Sequence, residues 1–450
     1  MRFRPCAGGV LFTLGVYLFG VQLTSANRAD PTTNPTLFVL LGSNERVDVA
    51  CLEDPSSYPC VGGINLQPSA ALEIVSLDTD PPTLTRAFDL GVAIPSALAV
   101  APSGARAYVV DTLNRLVRTV DTETGATLGS VSVPEGPVDC ILSPDGATLY
   151  VTTLQPSVVA IDAAAGARSG EIEPAQNYFE RLGGLTLLPG PPDRLAVAAA
   201  SSAPALYLFE ANGAALDVVA RIDIPSSCPE SNCPAGDDVV MVDTTLALVA
   251  NHACHRLHPV DVSSFQYVSG RAQSFAQSAC LPVNPQNSLV YDPVGQRAYL
   301  AFRGFAQHRP VAMPVFAPDT MGSTFMSGFS GTPESAALVT GGRALYIVRQ
   351  DTPTSPLQLD RYDTVEARLS RAVYTFSAIA EGKAAIDAKV GSRSKTQVRI
   401  ASASLTLPRG EGLLSGALRL GLLGFGAALW LRDRRRPRGG SPAPPPTRLG

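Results

Sequence analysis

Along the middle of the chain, apolar residues come in short runs of about five that alternate with polar ones, each run closed by a turn signal, which is the signature of β-strands. One stretch from Pro95 reads PSALAVAPSGARAYVVDTLNRLVRTVDTETGATLGSVSV, and another from Pro137 reads PVDCILSPDGATLYVTTLQPSVVAIDAAAGARSGEIE. Pro102-Ser103-Gly104 and Tyr108 return 42 residues later as Pro144-Asp145-Gly146 and Tyr150, and Asp121 and Gly125 return as Asp162 and Gly166. Each unit predicts four short strands: an inner apolar run, a second run after SG or DG, a polar hairpin to a third, and a fourth after TG or AG.

Four short strands in a period of about 40–45 residues describe a propeller blade. Units fall at 95–133, 137–173, 182–224, 237–270, 284–330 and 333–376, with fainter copies such as LVYDPVGQRAYLAF and AALVTGGRALYIV carrying the later ones. One more unit runs from LFVLLGSNERVDV at 37–49 through LEIVSLDT and LTRAFDLGV, and it opens on the second strand of the pattern. Its innermost strand must come from elsewhere, or a sheet edge stays unpaired. The alternating segments FSAIAEGKAAIDAKV and TQVRIASASLTL after 376 are free to supply it. The fold class predicted is therefore all-β, a propeller of seven four-stranded blades over 37–407 closed by a C-terminal strand. Six and eight are the neighbouring counts, and a pair of β-sandwiches is the competing architecture.

The strings SPDGATLYVTT at 143–153 and APSGARAYVVDT with VDTETG at 101–125 resemble the YVTN-type β-propeller repeat, and AYVVDTLNRLV is similar to an NHL-repeat strand pair. The resemblance is specific over about 93–173 and fades outward. It implies the propeller fold. Propellers similar in fold include metal-dependent lactonases, whose site residues this sequence does not match.

The two ends carry a different pattern. Arg2 and Arg4, the apolar run Val10–Val21 and Thr24-Ser25-Ala26 form a secretory signal peptide over 1–26, with an uncleaved signal anchor as the alternative, and 27–36 is a linker. Gly412–Leu431 is apolar over twenty residues, which at about 1.5 Å each reach about 30 Å, the depth of a bilayer core. Arg419 interrupts the run at a cost of about 2.5–3.5 kcal/mol at the bilayer centre, and it lies near the outer end where it can snorkel. Arg432, Arg434, Arg435, Arg436 and Arg438 follow at once and hold that end in the cytoplasm. The tail 432–450 is basic and proline-rich. A signal, an exported body, one membrane helix and a short tail make a membrane-anchored extracytoplasmic protein, in the periplasm or at the cell surface, with its C-terminus cytoplasmic. The alternatives are a buried core helix and a cleaved sorting signal after LTLPRGEG.

Charge and composition narrow the partners. With 35 basic against 39 acidic residues the chain has no basic phosphate-binding character, and basic–aromatic interleaving is missing, so nucleic acid is excluded as a partner. Between 27 and 411 it keeps every acidic residue but Asp433 and loses nine of the basic ones, which leaves the body near −12 and disfavours anionic lipid. Arginine far outnumbers lysine, as in a GC-rich bacterium. The partners this leaves are the membrane through Gly412–Leu431 and a protein or polysaccharide of the cell envelope, bound by a monomer.

Seven cysteines follow the signal segment, and in an exported chain they are disulfide candidates. Cys51–Cys60 and Cys228–Cys233 would close short loops, Cys254 and Cys280 would form a third pair, and Cys140 on an inner strand would stay a buried thiol. All six paired candidates fall in connections that emerge on one propeller face, where binding loops belong. Three of the four histidines, His252, His255 and His258, lie in HACHRLH and form a candidate divalent-metal site. Residues three apart on a strand point to opposite faces, so only the hairpin could bring two of these imidazoles together; an exposed polar hairpin is the plainer reading. Asp111 and Asp139 are candidates for a polar central channel, with a structural role as turn or strand-end aspartates the commoner reading. No GxSxG, P-loop, HExxH, EF-hand or CxxCH motif occurs, and Trp430 is the single tryptophan, so no catalytic residue or resident cofactor is predicted. The leading function is a binding or scaffold module of the bacterial envelope. A metal-dependent propeller enzyme and an envelope metal-handling protein are the alternatives.

Overall fold

In the computed structural model the described residues are 35–43, 69–91, 93–174, 181–190, 193–200, 204–212, 215–225, 238–251, 256–274, 289–301, 313–319, 322–339, 343–352, 355–377 and 383–390, all within the compact unit 1–400. They form 29 strands. Blade 1 holds β1 (Thr36–Ser43), β2 (Ala70–Ser76) and β3 (Thr83–Gly91). Blade 2 is β4 (Pro95–Val100), β5 (Arg106–Asp111), β6 (Leu116–Asp121) and β7 (Thr127–Ser132). Blade 3 is β8 (Pro137–Leu142), β9 (Thr148–Thr153), β10 (Val158–Asp162) and β11 (Ala167–Ile172). Blade 4 is β12 (Arg181–Leu188), β13 (Asp193–Ala200), β14 (Ala205–Asn212) and β15 (Ala215–Asp223). Blade 5 is β16 (Asp238–Met241), β17 (Leu246–Asn251), β18 (Arg256–Asp261) and an outer strand in two pieces, β19 (Gln266–Tyr267) and β20 (Gln273–Ser274). Blade 6 is β21 (Leu289–Asp292), β22 (Arg297–Leu300), β23 (Pro314–Ala317) and β24 (Gly322–Phe325). Blade 7 is β25 (Thr332–Leu338), β26 (Ala344–Gln350), β27 (Gln358–Asp363) and β28 (Arg368–Thr375), and β29 (Lys383–Val390) comes last.

The order β29-β1-β2-β3 in the first sheet makes the last strand the innermost one of blade 1. KAAIDAKV thus supplies the strand the first unit lacks, pairing antiparallel to β1 with Leu37 opposite Val390 and Ser43 opposite Lys383. Seven sheets are closed into a ring by the two ends of one chain, as the repeat predicts. Non-local closure of this kind removes the free inner edge that an unfinished blade would expose.

Both faces of most inner strands are buried, because each blade is pressed between two others. Seven apolar clusters fill the seven seams. On β8 and β9, Cys140 and Val151 face blade 2, whereas Ile141 and Tyr150 face blade 4. The period-two pattern survives only towards the outside, where β15 alternates exposed and buried positions and β7 is almost wholly exposed. The break in the outer strand of blade 5 has a local cause. Pro259, at the centre of β18, has no N–H to offer an outer partner, and only its carbonyl is used, by Val268 N at 3.1 Å.

First and second strands run antiparallel, so first-to-second and third-to-fourth connections emerge on one face, the turn face. Second-to-third connections and those between blades emerge on the other, the loop face. The turn face is built from short Asx turns: Asp121, Asp162, Asp261 and Asp363 each accept two backbone N–H bonds from the residues that follow. In the turn of β6 and β7, Gly125 has φ of 74°, and a side chain there would drive into the ring of Phe88. The hydrogen bonds of Asp261 hold its carboxyl down at about 2.

Candidate functional site

The loop face carries the longest connections of the chain, 44–69, 224–237, 275–288 and 301–313, and these join strand ends held rigidly by the seams. Cys51, Cys60, Cys228, Cys233, Cys254 and Cys280 fall outside the described residues, as do His252 and His255. So do the signal segment 1–26, the apolar run Gly412–Leu431 and the segment TQVRIASASLTL. Among the described residues, no helix is long and apolar enough to cross a membrane, and no group of three metal-capable side chains assembles.

Two polar hubs mark the loop-face ends of strands in blades 2 and 7, and a third is centred in the middle of β2. In blade 2, the buried Asp111 accepts from Arg118 at 2.5 Å, from Asn114 Nδ2 at 2.8 Å and from Ile94 N at 3.3 Å, while Arg118 also reaches the carbonyl of Leu90 in blade 1 at 2.9 Å. In blade 7, Arg349 is buried and donates to Asp360 at 2.6 Å, to Gln358 at 2.5 Å and to Asp351, and Asp351 in turn lies 3.7 Å from Arg371. Asp360 accepts a further bond from Ala372 N at 2.7 Å, so both of its oxygens are engaged. At the seam of blades 7 and 1, the buried Glu73 accepts from Tyr374 Oη at 3.0 Å and from Ser377 through both N, at 3.1 Å, and Oγ, at 2.5 Å. Burial pushes the Glu73 carboxyl above the usual range against these three donors, and burial with the Glu73 charge raises Tyr374.

The innermost ring is closed by carboxylates. Asp139 on β8 accepts from its own neighbour Cys140 N at 2.7 Å and from Leu185 N of blade 4 at 3.1 Å. Asp238 repeats the arrangement with Val239 N at 2.8 Å and Leu289 N of blade 6 at 3.0 Å. Asp387 on the closing strand accepts from Leu98 N of blade 2 at 3.0 Å and from Lys389 Nζ at 3.0 Å. Inner-edge N–H groups have no further strand to pair with, and each carboxylate satisfies one on the next blade. A β-bulge beside Asp139 and another beside Asp387 offset the inner strands there from their partners. Of Asp111 and Asp139, candidates for a polar channel by sequence, Asp139 is therefore a seam residue and Asp111 the centre of a hub within blade 2, and the oxygens of both are taken up within the protein. Glu73, Arg349 and Asp238 carry no motif. Their one sequence signal is an ionisable residue inside an otherwise apolar strand.

His258 lies on β18 opposite Val249, and its ring faces the seam of blades 4 and 5, 5.9 Å from the ring of Tyr267. It is 1 % exposed, and neither ring nitrogen has a hydrogen-bond partner among the described residues. Burial first, then the nearby Arg256, bring its pKa down to about 4, so the imidazole is neutral at physiological pH. The plainer reading of HACHRLH as an exposed hairpin fails at this residue, which is core. Cys140 is likewise buried, within the seam of blades 2 and 3.

No protein-family model matches the sequence, and no curated protein matches it. Among solved structures the chain is similar to hydrazine synthase of Kuenenia stuttgartiensis, with 18% identity and a TM-score of 0.48 over 60% of this chain and 76% of that one. It is also similar to the β-propeller domain of Cps50 (Swd1) from "Myceliophteria thermophila", with 14% identity and a TM-score of 0.45 over 62% of this chain and 85% of that one. Neither likeness bears on what the chain does.

Proposed function

We propose that the chain is a membrane-tethered, extracytoplasmic propeller of the YVTN repeat type that acts as a binding and scaffold module of the bacterial cell envelope, with the loop face as its ligand face. The observation that carries this reading is the asymmetry of the two faces. One is made of short, internally hydrogen-bonded turns, and the other bears connections 44–69, 224–237, 275–288 and 301–313 on a ring held at every seam. Loops on a rigid frame are where propellers present variable chemistry without disturbing the core. The signal segment, the apolar run 412–431 and the arginines after it support export and tethering. The candidate disulfides on the same face would brace those loops.

The test is capture of cross-linked partners from envelope extracts by the full chain in mild detergent, beside a variant in which residues 44–69 are replaced by a short Gly/Ser linker. One saturable protein or polysaccharide partner that the variant loses supports the reading. A partner retained equally by the variant, or none from a folded chain, refutes the assignment of the loop face.

A further inference from the structure

β1 runs from the turn face to the loop face and β29 runs back, with Leu37 opposite Val390. Thr36 and Val390, the outer ends of the first and last described strands, therefore lie at one place on the turn face. On that same face the turns of three successive blades carry exposed apolar side chains: Phe265 in blade 5 at 46 %, Val294 in blade 6 at 58 % and Val365 in blade 7 at 62 %. The last two turns meet across their seam, since a Cβ on Gly295 would stand 3.8 Å from the carbonyl oxygen of Thr364.

Phe265 also has φ of 57°, at the turn position where blades 2 and 3 have Gly125 and Gly166 in the same left-handed region. Blade 7 holds Ala367 at the same position with φ of 52°, so of these turns only that of blade 5 places a bulky side chain there, and its ring stands exposed. Arg297 and Arg368 are exposed at the ends of the turns of Val294 and Val365, and Arg343 is exposed on the other turn of blade 7; two of the three are held only loosely, Arg343 by Asp363 and Arg368 by Glu366, each at 3.8 Å. Apolar tips set among long arginine stems, whose charged ends reach outward, are the composition of a surface that sits in a bilayer interface. Asp243, Asp261, Asp319 and Glu366 on the turn face of blades 5 to 7 oppose anionic headgroups, so the lipid that fits is zwitterionic.

We infer that the turn face of blades 5 to 7 lies against the bilayer, with Phe265, Val294 and Val365 at the headgroup boundary, which leaves the loop face directed away from the membrane. The inference rests on the membrane-tethered reading above, and it adds which surface the lipid covers. The chain has one tryptophan, Trp430, so Trp430→Phe gives a silent background for single-tryptophan reporters. The full chain carrying Val365→Trp is reconstituted in phosphatidylcholine vesicles with brominated acyl chains, beside Val294→Trp on the neighbouring turn and Thr352→Trp on the loop face of the same blade. Both turn-face reporters are expected to lose emission to bromine and shift to the blue, with Thr352→Trp unchanged. Unquenched turn-face reporters, or a quenched Thr352→Trp, in a chain that floats with the vesicles and resists alkaline extraction, overturn the inference while the tether stands. A chain that does not float or is extracted overturns the tether, and the inference with it.

Discussion

Lowering the pH protonates His258 in the unfolded chain long before it does so in the fold. Its value falls from an ordinary 6.5 to about 4 on burial, so the unfolded state binds the proton more tightly and stability is lost as pH falls through that window. The contribution is fully present above 6.5. By pH 4.5 the difference amounts to about 2.5 kcal/mol, because each pH unit across most of the window is worth about 1.4 kcal/mol. The neutral ring is itself costly, since two buried nitrogens without partners among the described residues forgo about 1–3 kcal/mol of hydration. His258→Leu keeps an apolar side chain between Val249 and Tyr267 and removes both terms. Urea denaturation at pH 7.5 and 4.5 is the assay. The variant is expected to match or exceed the parent at pH 7.5 and to exceed it by about 2.5 kcal/mol more at pH 4.5. Parallel pH dependence in the two proteins refutes the argument. A variant clearly less stable at pH 7.5 shows instead that the ring nitrogens are satisfied.

Glu73 responds to pH with the opposite sign. The fold holds its proton more tightly than the unfolded chain does, so this group adds stability as pH falls from its raised value to the ordinary 4.5, below which the contribution is fully present, and loses it as pH rises through the raised value. Glu73→Gln keeps an acceptor oxygen for Ser377 and turns its NH2 to donate to Tyr374 Oη, as the protonated acid can, and urea midpoints at pH 7 and 4.5 should show this pH response gone with no loss at pH 7; a large loss at pH 7 sinks the reading. Asp387→Ala strands Lys389 and the N–H of Leu98 inside the ring and should cost about 3–5 kcal/mol. Adding Lys389→Met should recover part of that loss in a double-mutant cycle of denaturation midpoints, and strict additivity contradicts the coupling.

The repeat in the sequence determined the all-β class, the four strands per unit, the blade count and the need for a strand from the far end. Those follow from local rules, because Pro-Asp-Gly turns, glycines at left-handed positions and apolar runs of strand length act within one blade. The asymmetry of the two faces also follows, once strand direction is assigned. What faces what across a seam did not follow. Tyr374 meets Glu73 from 301 residues away, and Leu98 meets Asp387 from 289. The buried inner strands are apolar on both sides, so periodicity alone does not tell which neighbour a residue touches. Asp139 therefore reads as a channel residue by sequence and is a seam bolt in the fold. His258 reads as a metal ligand or an exposed hairpin residue, yet it is packed between blades 4 and 5. Closing the ring presses each blade between two others, and this burial, rather than any motif, decides the ionisation of His258 and Glu73.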